Sequence, residues 1–431
     1  MKKIISVLLF GTILTTSVFA ADKKIQEQED VYLLMDLLGA TLQTIRDESV
    51  EEISYRKMVE KSINGVLTSL DPHSGFLDEE EMADMETQTS GEFGGLGLEV
   101  GWDKEMVRIT APIDDTPGAK AGLQAGDYIT HIDDVSVVGM NLNEAVKKMR
   151  GKPGTKVKLN IFRQGKKPFS VTIKRDVIKV NPVKFETKGD IGYLRVSTFS
   201  EKTSSQLKTA IEKLEKEIPN IKGFVLDLRN NPGGLLEEAV AVTDLFLSRG
   251  EIVSTRSRKP EETTRYSAKI EDITKGLPLV VLINEGSASA SEIVAGALQD
   301  HKRAVIAGLK SFGKGSVQTI RQIPDFGAIK ITTARYYTPS GHSIQAKGIT
   351  PDVEIPRGKL EEYPRLVGWG EENLDHALAS EDGKKTPEEI LNEEDKKKEE
   401  KPQDYQLNRA LDLVQAIWVA NQGKEKNESV S

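Results

Sequence analysis

Three serines, Ser287, Ser289 and Ser291, stand within GSASASEI (Gly286 to Ile293), and Lys314 follows between two glycines in FGKGSVQ (Phe312 to Gln318). A hydroxyl is a poor nucleophile near neutral pH and needs a base within hydrogen-bond reach. Lys314 is the candidate base, because Gly313 and Gly315 suit an unusual backbone path better than a solvated helix face. To take a proton its amine must be largely neutral, so burial has to pull it well below the reference of about 10.4. Gln318 offers a carbonyl that can orient that amine. A competing reading of Gly308 to Lys314 as a nucleotide loop, GxxxxGK, fails at the next position: Gly315 stands where a phosphate loop needs Ser or Thr for its magnesium.

The elements that must position these groups flank them. Leu279 to Asn284 is a continuous apolar run, which suits a strand buried on both faces of a mainly parallel sheet. Ile293, Val294, Ala297 and Leu298 then recur at helical spacing, so the serines occupy a strand-to-helix turn. The first N–H groups of such a helix lack intrahelical partners and can hold an anion. Upstream, a strand at Gly192 to Val196, a helix from Ser204 to Glu217 and a strand at Phe224 to Leu228 alternate as in a layered α/β domain. Gly327 to Tyr337 alternates as one long strand, and Asp227 with Arg229 reads as a structural pair holding the turn that follows.

GSASASEI, FGKGSVQ and TARYYTPSGHSIQAKGITPDVEI (Thr333 to Ile355) resemble, in order and spacing, the protease-domain signatures of the carboxy-terminal processing, or tail-specific, proteases. The resemblance implies a serine endopeptidase with a Ser/Lys dyad on an α/β core, a ClpP/crotonase-like arrangement of layered sheet and helices. By position Ser289 would be the nucleophile, Lys314 the general base and Gln318 its orienting partner. The Ala290 N–H would be one oxyanion donor, and Gly233 in DLRNNPGG (Asp227 to Gly234) the second, with Gly234 close behind.

A further segment, 90–176, carries a glycine-rich loop, short strands and one helix that Asn141 and Glu144 start as a capping box and Gly151 ends. It resembles an inserted PDZ domain, a fold that binds a peptide by adding it as a strand. The carboxylate loop would be Gly95, Leu96, Gly97 and Leu98, and Arg150 would sense the bound tail. The implied partners are protein substrates with apolar C-termini and an adaptor protein.

The remaining regions complete the plan. Lys2, Lys3 and the apolar run from Ile4 to Phe19 make 1–20 a signal peptide, so the chain is expected to be exported to the periplasm, soluble or peripherally membrane-associated. Region 26–88 carries two apolar helical stripes, 178–375 is the protease core, 381–402 is a charged linker, and 403–431 is a last amphipathic helix. Unpaired stripes at both ends suggest a homo-oligomer, with a partner subunit as one place for the last helix to dock. A net charge of −8 over 431 residues argues against a nucleic-acid partner, the absence of cysteine excludes thiolate chemistry, and five scattered histidines suggest neither a metal nor another cofactor. A function of another class, a peptide-binding chaperone or regulator with an idle site, stands as the alternative; the intact Ser289, Lys314 and Gln318 argue against it.

Overall fold

The computed structural model describes residues 31–113, 115–179, 181–358 and 404–428; the expected signal peptide and charged linker lie outside them. The chain divides into two compact units, residues up to 79 with 318–332, and 80–317 with 333 onward.

The second unit is built on a six-stranded sheet. β-branched and leucine-rich runs make five parallel strands, side by side in the order Ile191–Val196, Gly223–Asp227, Leu279–Ile283, Val305–Gly308 and Val353–Glu354, and Val183–Lys188 adds an antiparallel edge. We call the central three βA (Gly223–Asp227), βB (Leu279–Ile283) and βC (Val305–Gly308). Side chains of successive strand residues point to opposite faces. Phe224, Leu226, Val281 and Ile283 share one apolar cluster with the helices Thr203–Glu217, Leu236–Asp244 and Ala290–Asp300. Val225, Val280 and Leu282 cluster instead with Ala410 and Val414 of the C-terminal helix Tyr405–Glu428.

That helix therefore docks on its own sheet, which corrects the expectation of a partner subunit as its place. The physical reason is that a parallel sheet leaves two apolar faces to cover, and the other helices cover only one. Polar locks hold it there. Gln406 Nε2 donates to Ile355 O at 2.7 Å, and the Arg229 guanidinium, itself gripped by Asp227, donates to both Asp404 oxygens at 2.9 and 2.7 Å. Asp227 and Arg229 are thus the structural pair expected.

Within the same unit a small antiparallel sheet runs in the order Leu98–Asp103, Met106–Pro112, Tyr128–Ile132, Lys156–Phe162 and Phe169–Lys174, with Val107, Ile109, Ile129, Leu159 and Ile161 buried against the helix Leu142–Met149. Asn141 and Glu144 form the expected capping box. The chain enters and leaves this module through a two-stranded ribbon, Glu92–Gly95 paired with Asp176–Lys179.

In the first unit, helices cover 31–48 and Tyr55–Leu70, and the strand Gly75–Leu77 pairs with the first half of the long strand Gly327–Tyr337. A third helix, Glu79–Ser90, follows in the chain, where two had been expected from the stripes. Met58 and Leu67 are buried, but Val31, Leu34, Met35, Leu38 and Ile45 stay exposed.

Burial opposes the charge on Asp404, yet the hydrogen bonds from Arg229 outweigh it and hold the carboxyl below its usual range. A depressed carboxyl adds stability above its unfolded value, near 3.8, and that contribution disappears as pH falls through the folded value. Asp404→Asn should therefore lower the thermal midpoint at neutral pH by about a few °C. The gap from wild type should close below about pH 4; a gap unchanged down to pH 3 would remove Asp404 from the docking of the C-terminal helix.

Candidate active site

Loops from the carboxyl ends of βA, βB and βC carry the candidate residues, where open α/β sheets place their sites. The βA loop holds the Gly233 turn, the βB loop ends in Ser289, and the βC loop carries Lys314. These loops are tied to one another through main-chain groups. Ala288 N–H and the Ser291 hydroxyl both donate to Asn231 O, at 3.0 and 2.9 Å, and the Ser287 hydroxyl donates to Leu228 O at 2.8 Å. Asn284 Oδ1 accepts from Asn230 N and Gly286 N at 2.8 and 3.0 Å, while Phe312 N–H reaches Ser287 O at 3.0 Å.

Two of the three serines are thereby occupied as structural donors. The Ser289 hydroxyl donates to nothing among the described residues. Ser289 sits immediately before the helix Ala290–Asp300, is 8 % exposed, and has φ +55° and ψ −112°. Such a backbone is costly for a residue with a Cβ, by about 1–3 kcal/mol, and persists only where its surroundings hold it. A strained strand-to-helix turn is also how unrelated hydrolases present a nucleophilic serine.

The chief restraint is Glu292, which is 0 % exposed. Its Oε2 accepts from Ser289 N–H at 2.8 Å and from Lys314 N–H at 2.9 Å; its Oε1 accepts from Gly313 N–H at 2.6 Å and the Ser311 hydroxyl at 2.5 Å. One buried carboxylate thus joins the backbone of the serine turn to that of the lysine loop. Sequence reasoning passed over it, although serine followed three residues later by glutamate at a helix start is a capping-box signal. Lys314 itself is half-buried.

Ala290 N–H, at the first helical position, meets no acceptor among the described residues. Gly233 lies against it: a Cβ added there would fall 2.8 Å from Ser289 Cβ and 3.0 Å from Ala290 N, at φ +104°. The Gly233 N–H donates to Asn231 Oδ1 at 2.9 Å, whereas that of Gly234 has no acceptor among the described residues. Asn231, fully buried and also missed in the sequence, fixes this turn by donating from Nδ2 to Val196 O at 2.9 Å.

Gln318 belongs to the other unit, on the strand Ser316–Ile323, and its Nε2 donates to Thr332 Oγ1 at 3.3 Å. Thr332 N–H in turn donates to Ser74 Oγ at 3.1 Å, and Ser74 donates to Asp71 Oδ2 at 2.7 Å. Burial opposes the Asp71 charge, but the Ser74, His73 and Thr332 hydrogen bonds hold its carboxyl below the ordinary value.

Comparison with known proteins joins these parts. A model described as Peptidase family S41 matches residues 190–355, and one described as PDZ domain matches 108–163. The carboxy-terminal-processing protease of Bartonella bacilliformis is 50% identical over 370 residues, covering 84% of this chain and 85% of that protein. The carboxy-terminal processing protease CtpA of Bacillus subtilis is 38% identical over 334 residues, 77% of this chain and 70% of that one. Among solved structures, the photosystem II D1 C-terminal processing protease matches at 33% identity with a TM-score of 0.47, covering 73% of this chain and 86% of that chain. The chain belongs to the carboxy-terminal processing proteases of family S41. It is a serine-type endopeptidase with a PDZ domain, and the reading as an idle chaperone is set aside.

In this carboxy-terminal processing protease the PDZ strand Leu98–Asp103 lies at an edge of its sheet, leaving one side open for an added strand. The loop before it has Leu96 O and Gly97 O tied inward, to Gly118 N–H at 2.7 Å and Ile113 N–H at 2.9 Å. The N–H groups of Leu96 and Gly97 meet no acceptor among the described residues. Gly97 has φ +70°, and a Cβ there would collide with Thr116 at 2.3 Å. Gly95 ends the ribbon strand and Leu98 begins the sheet. Arg150 lies just past the domain's helix, its guanidinium 4.8 Å from the Phe93 ring centroid on the ribbon. The sequence reading missed Arg175. This buried guanidinium caps that helix, donating to Met149 O at 2.9 Å and Lys148 O at 2.8 Å.

Proposed function

We propose that this protease cleaves proteins captured by their apolar C-termini, with Ser289 as nucleophile and Lys314 as general base. The observation that carries the reading is the free donor of Ser289: its two neighbours in the motif give their protons to carbonyls, and Ser289 alone keeps its own for transfer. Ser289 Oγ attacks the scissile carbonyl while the Lys314 amine takes the proton, later returning it to the leaving amine. The negative oxygen that forms faces Ala290 N–H at the positive end of the helix Ala290–Asp300. A second donor comes from the Gly233 turn; Gly234 N–H has no acceptor among the described residues, whereas Gly233 N–H serves only after leaving Asn231. Gln318 stays in this reading as the residue that orients the base, and its Nε2 donates to Thr332 Oγ1.

In the PDZ domain, Gly95 to Leu98 would receive the terminal carboxylate through the open N–H groups of Leu96 and Gly97, and Arg150 would report occupancy through its stacking on Phe93. The N-terminal segment 1–20 supports export to the periplasm. No helix among the described residues is long and apolar enough to cross a membrane. The exposed stripe of helix 31–48 supports a homo-oligomer, and an adaptor protein remains a further partner of this reading.

Ser289→Ala and Lys314→Ala should each reduce peptide cleavage at least about 10³-fold. Ser287→Ala should instead lower stability by about 1–3 kcal/mol, because Asn284 N–H loses its acceptor and Leu228 O one of its donors, and keep measurable turnover. Near wild-type cleavage by Lys314→Ala would end the dyad assignment. Gly97→Ala should weaken binding of an apolar-tailed peptide about tenfold or more, while cleavage of a short internal peptide persists; unchanged tail selectivity would take the loop out of recognition. Light scattering of the mature chain should report more than one copy, and Leu34→Asp with Leu38→Asp should shift it toward the monomer. A monomeric wild type would refute the oligomer.

A further inference from the structure

We propose that Glu292 is the positioning residue that sets the separation of the serine turn and the lysine loop, and so the geometry in which Ser289 meets its base. The inference rests on Ser289 and Lys314 acting as the dyad. A fully buried carboxyl group is costly unless every lone pair is met by a donor. Here the described partners are all donors, three main-chain N–H groups and one hydroxyl, two to each oxygen. The Ser311 hydroxyl that donates to Oε1 also accepts Ile349 N–H at 2.7 Å. The tie therefore extends to a third chain segment.

The division of labour between the two oxygens is what makes this a spacer. Oε2 receives Ser289 N–H and Lys314 N–H together, so the two main-chain amides are held to one atom at 2.8 and 2.9 Å. Oε1 holds the approach to the lysine, at Ser311 and Gly313. An ammonium or guanidinium could satisfy the charge, but it could not bind two distant stretches of backbone to one point. The same bond to Ser289 N–H restrains the +55° φ of the serine. Shared acceptance by one oxygen fixes that separation to within a few tenths of an ångström, and a misplacement of about 1 Å in such a site costs about 10²-fold.

Glutamine in this place has one acceptor oxygen. Its NH₂ must face one of the two donor pairs, which breaks two hydrogen bonds and sets N–H against N–H. Glu292→Gln should therefore lose about 10²-fold in kcat on an apolar-tailed peptide, with KM and tail binding within about threefold of wild type. Glu292→Asp, which keeps both acceptors but is one methylene shorter, should regain about tenfold of that loss. The acid limb of the pH–rate profile should move in Glu292→Gln, because the lysine loop has lost its anion. Labelling of Ser289 by a fluorophosphonate probe should slow in parallel, a readout that does not depend on which group is the base. A folded Glu292→Gln with kcat within threefold of wild type, or equal kcat for the Gln and Asp variants, overturns the proposal. If Ser289→Ala and Lys314→Ala are inactive in that case, the dyad stands and only the spacer falls. If Lys314→Ala remains active, the dyad falls, and the Ser289 labelling rate of Glu292→Gln still decides the spacer. Should Glu292→Gln not fold, Ser311→Ala decides instead: it removes one donor and should cost about three- to tenfold in kcat, and an unchanged kcat and labelling rate overturn the proposal.

Discussion

Parallel pairing of three neighbouring strands is the constraint from which the site follows. βA and βB pair up to Asp227 against Leu282, and βB and βC up to Ile283 against Gly308, so the three carboxyl ends are level. Residues far apart in the chain therefore begin their loops from the same edge, and main-chain bonds can link those loops over short distances. A parallel arrangement demands cover on both faces, and here the second cover comes from the far end of the chain. Ala410 and Val414 close over Val225, Val280 and Leu282, so the helix Tyr405–Glu428 supports from the other face the strands that carry the site.

The PDZ module does not disturb this order, because it enters and leaves on adjacent antiparallel strands. Glu92–Gly95 and Asp176–Lys179 return the chain to where it left. The ribbon is not a bare tether. Gly151 N–H donates to Gly94 O at 3.1 Å, and Arg150 stacks on Phe93, so the end of the PDZ helix is joined to the connecting strands. Arg175 places a positive charge against the last carbonyls of that helix, the favourable end of its dipole.

Much of the plan was legible because it rests on local pattern. The apolar run at Leu279 to Asn284 needs both faces covered wherever it lies, and the capping box at Asn141 is written within four residues. The Asp227 and Arg229 pair was legible from adjacency and charge. What escaped was set by tertiary proximity. Nothing near Arg175 in sequence indicates that it caps a helix ending at Met149, and Asn231 looks like a loop asparagine until Val196 O and Gly233 N–H are placed beside it. The last helix was misplaced because an apolar stripe shows that a surface is needed, without saying which.

Ser289, the proposed nucleophile, illustrates why burial matters at this turn. Its backbone conformation is unfavourable, and a solvent-exposed turn would relax it within the freedom of its neighbours. The restraint available is a hydrogen bond from Ser289 N–H, which in water would be exchanged at little net cost. Burial changes that balance. With Glu292 removed from water, releasing any of its four donors leaves a buried acceptor short, so the carboxylate holds the serine against its own torsional preference. The helix Ala290–Asp300 adds to this, since its positive end, where Ala290 N–H meets no acceptor among the described residues, favours an anion such as the Glu292 carboxylate. The apolar residues of this helix, Ile293, Val294, Ala297 and Leu298, belong to the buried core and help to keep water from these hydrogen bonds.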